Sequence, residues 1–143
     1  MRILYLLLIS LLIAAPLPAA DGERPEAEDE QDEEDPLIFD VEEYGEEWLV
    51  GDTSGDGRVD YALRRNDAGE KEREAVDFDG DGQMDDFYFY TPRGALEGQL
   101  VDTNYDGAID LWITIHDGVY VSGYRRDTDY DGEIDLEKEF GEE

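Results

Sequence analysis

The chain has no cysteine and a single histidine, His116. Without Cys there is no disulfide framework, no zinc finger and no thiol catalysis. Basic residues are scarce, with 11 Lys and Arg against 41 Asp and Glu and a formal net charge of −30 at pH 7. Such an excess repels phosphate, which argues against nucleic acid or an anionic membrane surface as a partner. Beyond residue 20 the only serines are Ser54 and Ser122, so a hydroxyl nucleophile with a matched base has little to be built from. Paired carboxylates cleave glycosides in other proteins, but a regular pattern accounts for the Asp residues here, and no enzyme is expected. At 143 residues the chain allows one domain at most. Low hydrophobicity with high charge ordinarily means disorder. Aromatic residues nonetheless make up 11%, which points to a domain whose folding depends on neutralising its own acid.

One nine-residue stretch is written four times. It runs Asp52–Asp60 (DTSGDGRVD), Asp77–Asp85 (DFDGDGQMD), Asp102–Asp110 (DTNYDGAID) and Asp127–Asp135 (DTDYDGEID), at a period of 25 residues without a slip. Asp occupies positions 1, 5 and 9 of every copy and Gly occupies position 6. Position 3 is Ser54, Asp79, Asn104 or Asp129, always an oxygen-bearing side chain, and position 8 is always apolar. Oxygens at positions 1, 3 and 5 of a tight turn converge on one point, and the Gly permits the turn. The carbonyl at position 7 and the carboxylate at 9 close the shell.

Left bare, two such carboxylates about 5 Å apart repel by roughly 3 kcal/mol at an effective dielectric of ~20. Hard oxygen ligands without His or Cys select calcium over transition metals, and the smaller octahedral shell of magnesium fits less well. Asp and Gly are also ordinary turn residues, but four copies in phase favour metal loops. The expected ligands to as many as four calcium ions are Asp52, Ser54, Asp56, Arg58 and Asp60; Asp77, Asp79, Asp81, Gln83 and Asp85; Asp102, Asn104, Asp106, Ala108 and Asp110; and Asp127, Asp129, Asp131, Glu133 and Asp135. Arg58, Gln83, Ala108 and Glu133, at position 7, would serve through their backbone carbonyls.

These loops resemble the Asp-x-Asp-x-Asp-Gly calcium loops of EF-hands and dockerins, and more closely the nine-residue loops of integrin-type β-propellers. An EF-hand loop needs a bidentate Glu at position 12, where this chain has Leu63, Tyr88, Ile113 and Lys138. The shorter loop matches all four copies, and the resemblance implies that each sits between β-strands. It covers 36 of 143 residues. Thrombospondin-type repeats are similar in the loop but carry disulfides that a Cys-free chain cannot form.

Residues 1–20 read as a secretory signal peptide: Arg2, an apolar run to Leu17, then small residues before Asp21. An uncleaved anchor is the alternative, disfavoured because the run falls short of the ~20 residues of a spanning helix. No stable membrane span is expected in the mature chain, whose charge would be −31 once Arg2 is lost. Residues 21–36 hold ten acids in sixteen positions and read as a disordered linker, the alternative being a cation sponge or docking tail.

The remainder, 37–143, reads as one calcium-loop repeat domain with a cap over 37–51, full repeats over 52–76, 77–101 and 102–126, and a partial repeat over 127–143. In the cap, LIFDVEE and EEWLVG are predicted as strands around Tyr44-Gly45, with Trp48 as anchor or simple core residue. Each loop should lead into an outgoing strand: YALRRN, DFYFYT, LWITIH or LEKEF. The predicted return strands are KEREAV, ALEGQLV and VYVSGYRR, although Lys71–Glu74 would suit a helix as well. Asp117-Gly118 is the strongest hairpin signal, and His116 is read as a turn residue.

The expected fold is all-β: an antiparallel meander of hairpins, open or curled, with every metal loop on one edge and neighbouring loops roughly 10 Å apart. Phe87–Tyr90 and Leu111–Ile113 are apolar on both faces, so they are either core or an aromatic platform. The expected function is calcium binding that stabilises a small secreted, periplasmic or cell-surface β domain. A calcium-dependent adhesion or dockerin-like module for a protein or glycan is the alternative. Loops 2 and 4, with four Asp each, should bind more tightly than loops 1 and 3, at about 10⁻⁴ to 10⁻³ M as in extracellular modules.

Overall fold

The computed structural model describes residues 36–141. The predicted signal peptide and all of the acidic linker except Pro36 lie outside the described residues. Eight strands follow one another: β1 (Trp48–Gly51), β2 (Tyr61–Arg65), β3 (Lys71–Val76), β4 (Asp86–Tyr90), β5 (Leu96–Val101), β6 (Leu111–His116), β7 (Tyr120–Arg126) and β8 (Leu136–Glu139). They form a single antiparallel sheet in sequence order, with β1 and β8 at its two edges. It is an open meander. Each nine-residue loop joins an odd strand to the following even one, so all four leave the sheet at the same end.

The 25-residue period reaches beyond the loops. The ladder slips between Arg64 and Arg65, again between Phe89 and Tyr90, and again between Thr114 and Ile115. Each slip is a bulge, which strengthens the local twist. At the hairpin ends Gly69, Gly94 and Gly118 take positive φ. Asp117 also does, at φ 52°, and Val119 N–H donates to the His116 carbonyl at 3.1 Å. That pair of positive φ values is the type I′ turn that Asp-Gly favours. His116 itself pairs with Tyr120 as the last residue of β6.

Residues paired across the ladder share a face. One face carries Trp48, Ala62, Arg64, Arg73, Ala75, Phe87, Phe89, Leu100 and Trp112. The core lies here, built on buried Ala62, Ala75, Met84 and Phe87. The segment before β1 covers it: Leu37, Phe39, Val41 and Tyr44 pack against that cluster. Phe39 meets Phe87 edge-on at 5.1 Å, and Tyr44 meets Trp48 at 4.9 Å. The predicted first cap strand is therefore corrected. Residues 37–43 make only an isolated bridge, Asp40 to Gln83, and one 3-10 turn at Val41–Glu43. A strand laid beside β1 would expose Phe39, whereas one crossing the sheet face buries it.

The other face carries Tyr61, Leu63, Glu74, Asp86, Tyr88, Gln99, Leu111, Ile113, Tyr124, Arg126 and Leu136. Two buried acids stand in it. Glu74 accepts hydrogen bonds from Lys71 Nζ at 2.7 Å and from the Tyr61 and Tyr90 hydroxyls. Asp86 accepts from Gln99 Nε2 and the Tyr88 hydroxyl, each at 2.8 Å. Phe87–Tyr90 is thus split between an apolar core and a polar network. KEREAV is a strand despite its helical propensity, because Glu74 and Ala75 are buried on opposite faces.

Candidate metal centre

The repeated turn is held by its own carboxylates. The position-1 Asp spans the bend, accepting from the N–H groups of positions 4 and 6. These contacts are Gly55 and Gly57 on Asp52 (2.6 and 2.8 Å), Gly80 and Gly82 on Asp77 (2.7 and 2.9 Å), and Tyr105 and Gly107 on Asp102 (2.7 Å each), with Tyr130 and Gly132 on Asp127 (2.7 Å each). The position-5 carboxylates of Asp56, Asp81, Asp106 and Asp131 accept from the N–H of position 7, which is Arg58, Gln83, Ala108 or Glu133. The position-9 Asp closes the loop by accepting from position 2: Thr53, Phe78 and Thr103 at 2.7 Å, and Thr128 at 3.2 Å.

This pattern requires two left-handed residues in each loop. Position 6 is Gly throughout, at φ 85 to 97°. Position 4 is Gly55 or Gly80 in the first two loops but Tyr105 and Tyr130 in the others, each at φ 60°. Sequence reasoning found the requirement at position 6 and missed it at position 4. The Gly, Gly, Tyr, Tyr series hides it, although two glycines there are a signal. It also missed the position-2 hydroxyls: Thr103 and Thr128 donate to Asp110 and Asp135 at 2.7 and 2.6 Å.

In two loops the carboxylates converge as a cation would need. Oxygens of Asp77, Asp79 and Asp85 lie within 4.8 Å of one another, and so do those of Asp127, Asp129 and Asp135. Either cluster could hold a metal ion. These are loops 2 and 4, the copies with Asp at position 3. Loops 1 and 3 place Ser54 and Asn104 there; Ser54 Oγ donates to Asp52 and Asn104 Nδ2 to Asp106. Asn104 Oδ1 is shielded from solvent and accepts no hydrogen bond. A bare amide oxygen at position 3 of the loop is of the type that serves a cation as ligand.

The electrostatics follow from the geometry. Hydrogen bonds from Gly57 and Gly55 hold the Asp52 carboxyl below its usual range, and the Thr53 N–H does the same for Asp60. Burial alone would raise Asp127, but N–H groups of Gly132, Tyr130 and Asp131 outweigh it and keep it low. Burial pushes Asp85 up to about 6, with the charges of Asp79 and Asp77 adding to the shift. The charge of Asp131, then burial and Asp135, raise Asp129.

Loop 2 is the most enclosed of the four. Asp77, Met84 and Asp85 are all buried, because residues 39–41 bond to its backbone: Val41 N–H to the Gly82 carbonyl at 3.1 Å, and Met84 N–H to the Phe39 carbonyl at 2.7 Å. Neighbouring loops also touch, with Arg58 Nη1 donating to the Gly80 carbonyl at 3.0 Å. Loop 4 is open, its position-8 residue Ile134 being 42% exposed.

Glu74 and Asp86, the buried acids outside the loops, have their oxygens engaged by protein donors. On the core face, the cavity between Leu37, Ile38 and Tyr44 and the strand residues Trp48 and Phe89 encloses only about 10 Å³, the room of one water. Among the described residues no helix is long and apolar enough to cross a membrane. Comparison with models of known protein families finds no match, and comparison with curated proteins finds no relative.

Proposed function

We propose that the chain is a calcium-binding repeat protein of the secreted, periplasmic or cell-surface kind, in which calcium stabilises a small β domain. The convergence of three carboxylate oxygens within 4.8 Å in each of loops 2 and 4 carries this reading. Bare like charges at that separation oppose folding, and a divalent cation reverses the sign of the interaction. The bare Asn104 Oδ1 extends the reading to loop 3. An all-oxygen donor set without His or Cys suits calcium better than a transition metal. The Asp-x-Asp-x-Asp-Gly likeness to integrin-type β-propeller loops agrees with a last ligand at position 9.

Calorimetric titration of the purified chain with calcium, magnesium and zinc tests this. Saturable calcium uptake of two to four ions, with magnesium at least tenfold weaker, is the expected result. No calcium uptake at millimolar concentration, or zinc bound in preference, would reject it.

A second reading, calcium-dependent adhesion or docking to a protein or glycan, is favoured by the aromatic side chains along the loop edge. Phe78 is 61% exposed, and Tyr105 and Tyr130 are also exposed. Exposed aromatics beside a rigid loop are the material of recognition surfaces. A glycan array probed with and without calcium separates the two readings: binding that needs calcium supports docking, and no binding leaves the stabilising role alone.

A further inference from the structure

Position 7 of each loop would serve an ion through its backbone carbonyl, which leaves its side chain free for another task. In the first two loops that side chain reaches toward the following loop. Arg58 of loop 1 donates from Nη1 to the Gly80 carbonyl of loop 2 at 3.0 Å. Gln83 of loop 2 brings its Oε1 to 3.4 Å from where a Cβ on Gly107 of loop 3 would stand. The two residues mark the seams between neighbouring loops, and of the two only Arg58 is charged.

That charge sits among acids. Arg58 lines a cavity of about 180 Å³ together with Asp56 and Asp60 of loop 1 and Asp77 and Asp79 of loop 2. Carboxylates of two loops border this shared space, and a positive charge within it offsets their repulsion. Arg58 is the one basic residue in the four loops, so loop 1 carries a net charge of −2, against −4, −3 and −5 in loops 2, 3 and 4.

Position 3 points the same way. Ser54 offers a neutral hydroxyl there, and its proton goes to Asp52 Oδ1 at 3.2 Å. Loops 2 and 4 have converging carboxylates, and loop 3 has the bare Asn104 Oδ1. Loop 1 shows neither feature among the described residues.

We propose that Arg58 is the built-in cation of the seam between loops 1 and 2, standing in for an ion at loop 1 and leaving calcium to loops 2, 3 and 4. The inference rests on the calcium reading above and refines it to a count of three ions. A divalent ion in loop 1 would be held by the Arg58 carbonyl and opposed by the Arg58 guanidinium, with less negative charge around it than in any other loop. Affinity in such sites follows the charge of the ligand set, so loop 1 should bind at least about tenfold more weakly than loop 3.

Native mass spectrometry and calorimetric titration of the whole chain count the ions. At a calcium concentration that saturates loops 2 to 4, the wild-type chain is expected to hold three. The double variant Ser54→Asp/Arg58→Gln gives loop 1 the same candidate ligand residues as loop 2 and should hold four. Ser54→Asp alone keeps the guanidinium, and its fourth ion should bind at least about threefold more weakly than that of the double variant at low salt, a gap that narrows as salt is added. Ser54→Asp/Arg58→Lys restores the charge to the double variant and should restore the gap. Where the double variant fails to fold in calcium, the wild-type count decides. Four ions on the wild-type chain, one of them lost in Asp56→Ala, would overturn the proposal. So would three ions on the folded double variant, or a fourth ion held equally well by Ser54→Asp and the double variant. No ion on any form is a different failure: the calcium reading itself then falls, and this inference with it.

Discussion

Asp85 is the residue at which the charge problem of this chain is most concentrated. It is buried, faces Asp79 and Asp77, and titrates near 6 in the absence of metal. A carboxyl raised above its unfolded value binds more protons folded than unfolded between roughly pH 4 and 6. Metal-free stability from this group is therefore greatest below pH 4, and is lost as pH rises through 6. Calcium affinity must run the other way, since proton and cation compete for the same oxygens. Calcium affinity at loop 2 should rise about tenfold from pH 5 to 7, about half of that rise by pH 6, and level off above pH 7. Titration calorimetry of a chain with the other loops disabled would show this; a flat profile would contradict it.

Backbone strain is the second matter at this scale. Tyr105 and Tyr130 stand at φ 60° where loops 1 and 2 use Gly. The left-handed region costs a non-Gly residue roughly 1–2 kcal/mol, against about 0.5–1 kcal/mol of extra chain entropy for Gly. Tyr105→Gly should therefore stabilise the domain by about 0.5–1 kcal/mol, a rise of a few degrees in Tm. A fall in Tm would mean that the exposed ring makes a contact worth more than the strain.

At the scale of the element, the loops are alike in backbone and unlike in charge and cover. Loop 2 combines Asp at four candidate ligand positions with two backbone bonds from residues 39–41, while loop 3 replaces one Asp with Asn104. Calorimetry on Asp81→Ala and Asp106→Ala is expected to show the larger loss of calcium affinity for Asp81→Ala. Equal losses would reject the order. The strands were legible because β-branched and aromatic runs are bounded by Asp, Gly and Pro every 25 residues, and the register phase followed from the repeat. Asp117-Gly118 announced its turn by composition alone.

The path of Leu37–Tyr44 was not legible. An alternating apolar run is compatible with an edge strand or with a strap across a sheet face, and only the position of Phe87 decides between them. Nor were Glu74 and Asp86 legible as buried acids, because three of their five partners, Tyr61, Tyr90 and Gln99, are 13 to 16 residues away in sequence. The convergence of loops 2 and 4 was readable from Asp at position 3. The contact of Arg126 with Thr103 was not, since the two are 23 residues apart.

For the whole molecule, a single sheet must form in a chain of formal charge −30. Its buried hydrophobic residues are few, Ala62, Leu63, Ala75, Met84 and Phe87 among those described. A core that small is marginal without a further staple. Four cations would remove eight units of negative charge at the end of the sheet from which the loops leave, and each would bind only the folded loop. By mass action, ligand at a hundred times its dissociation constant adds about 2.7 kcal/mol per site. On the proposed reading, several such sites would decide whether the domain folds. Far-UV circular dichroism of the purified chain, melted in chelator and in millimolar calcium, tests this most directly. The account predicts a β spectrum and a cooperative melt with calcium, and loss of both in chelator that calcium restores. The same spectrum and the same Tm in both solutions would contradict it.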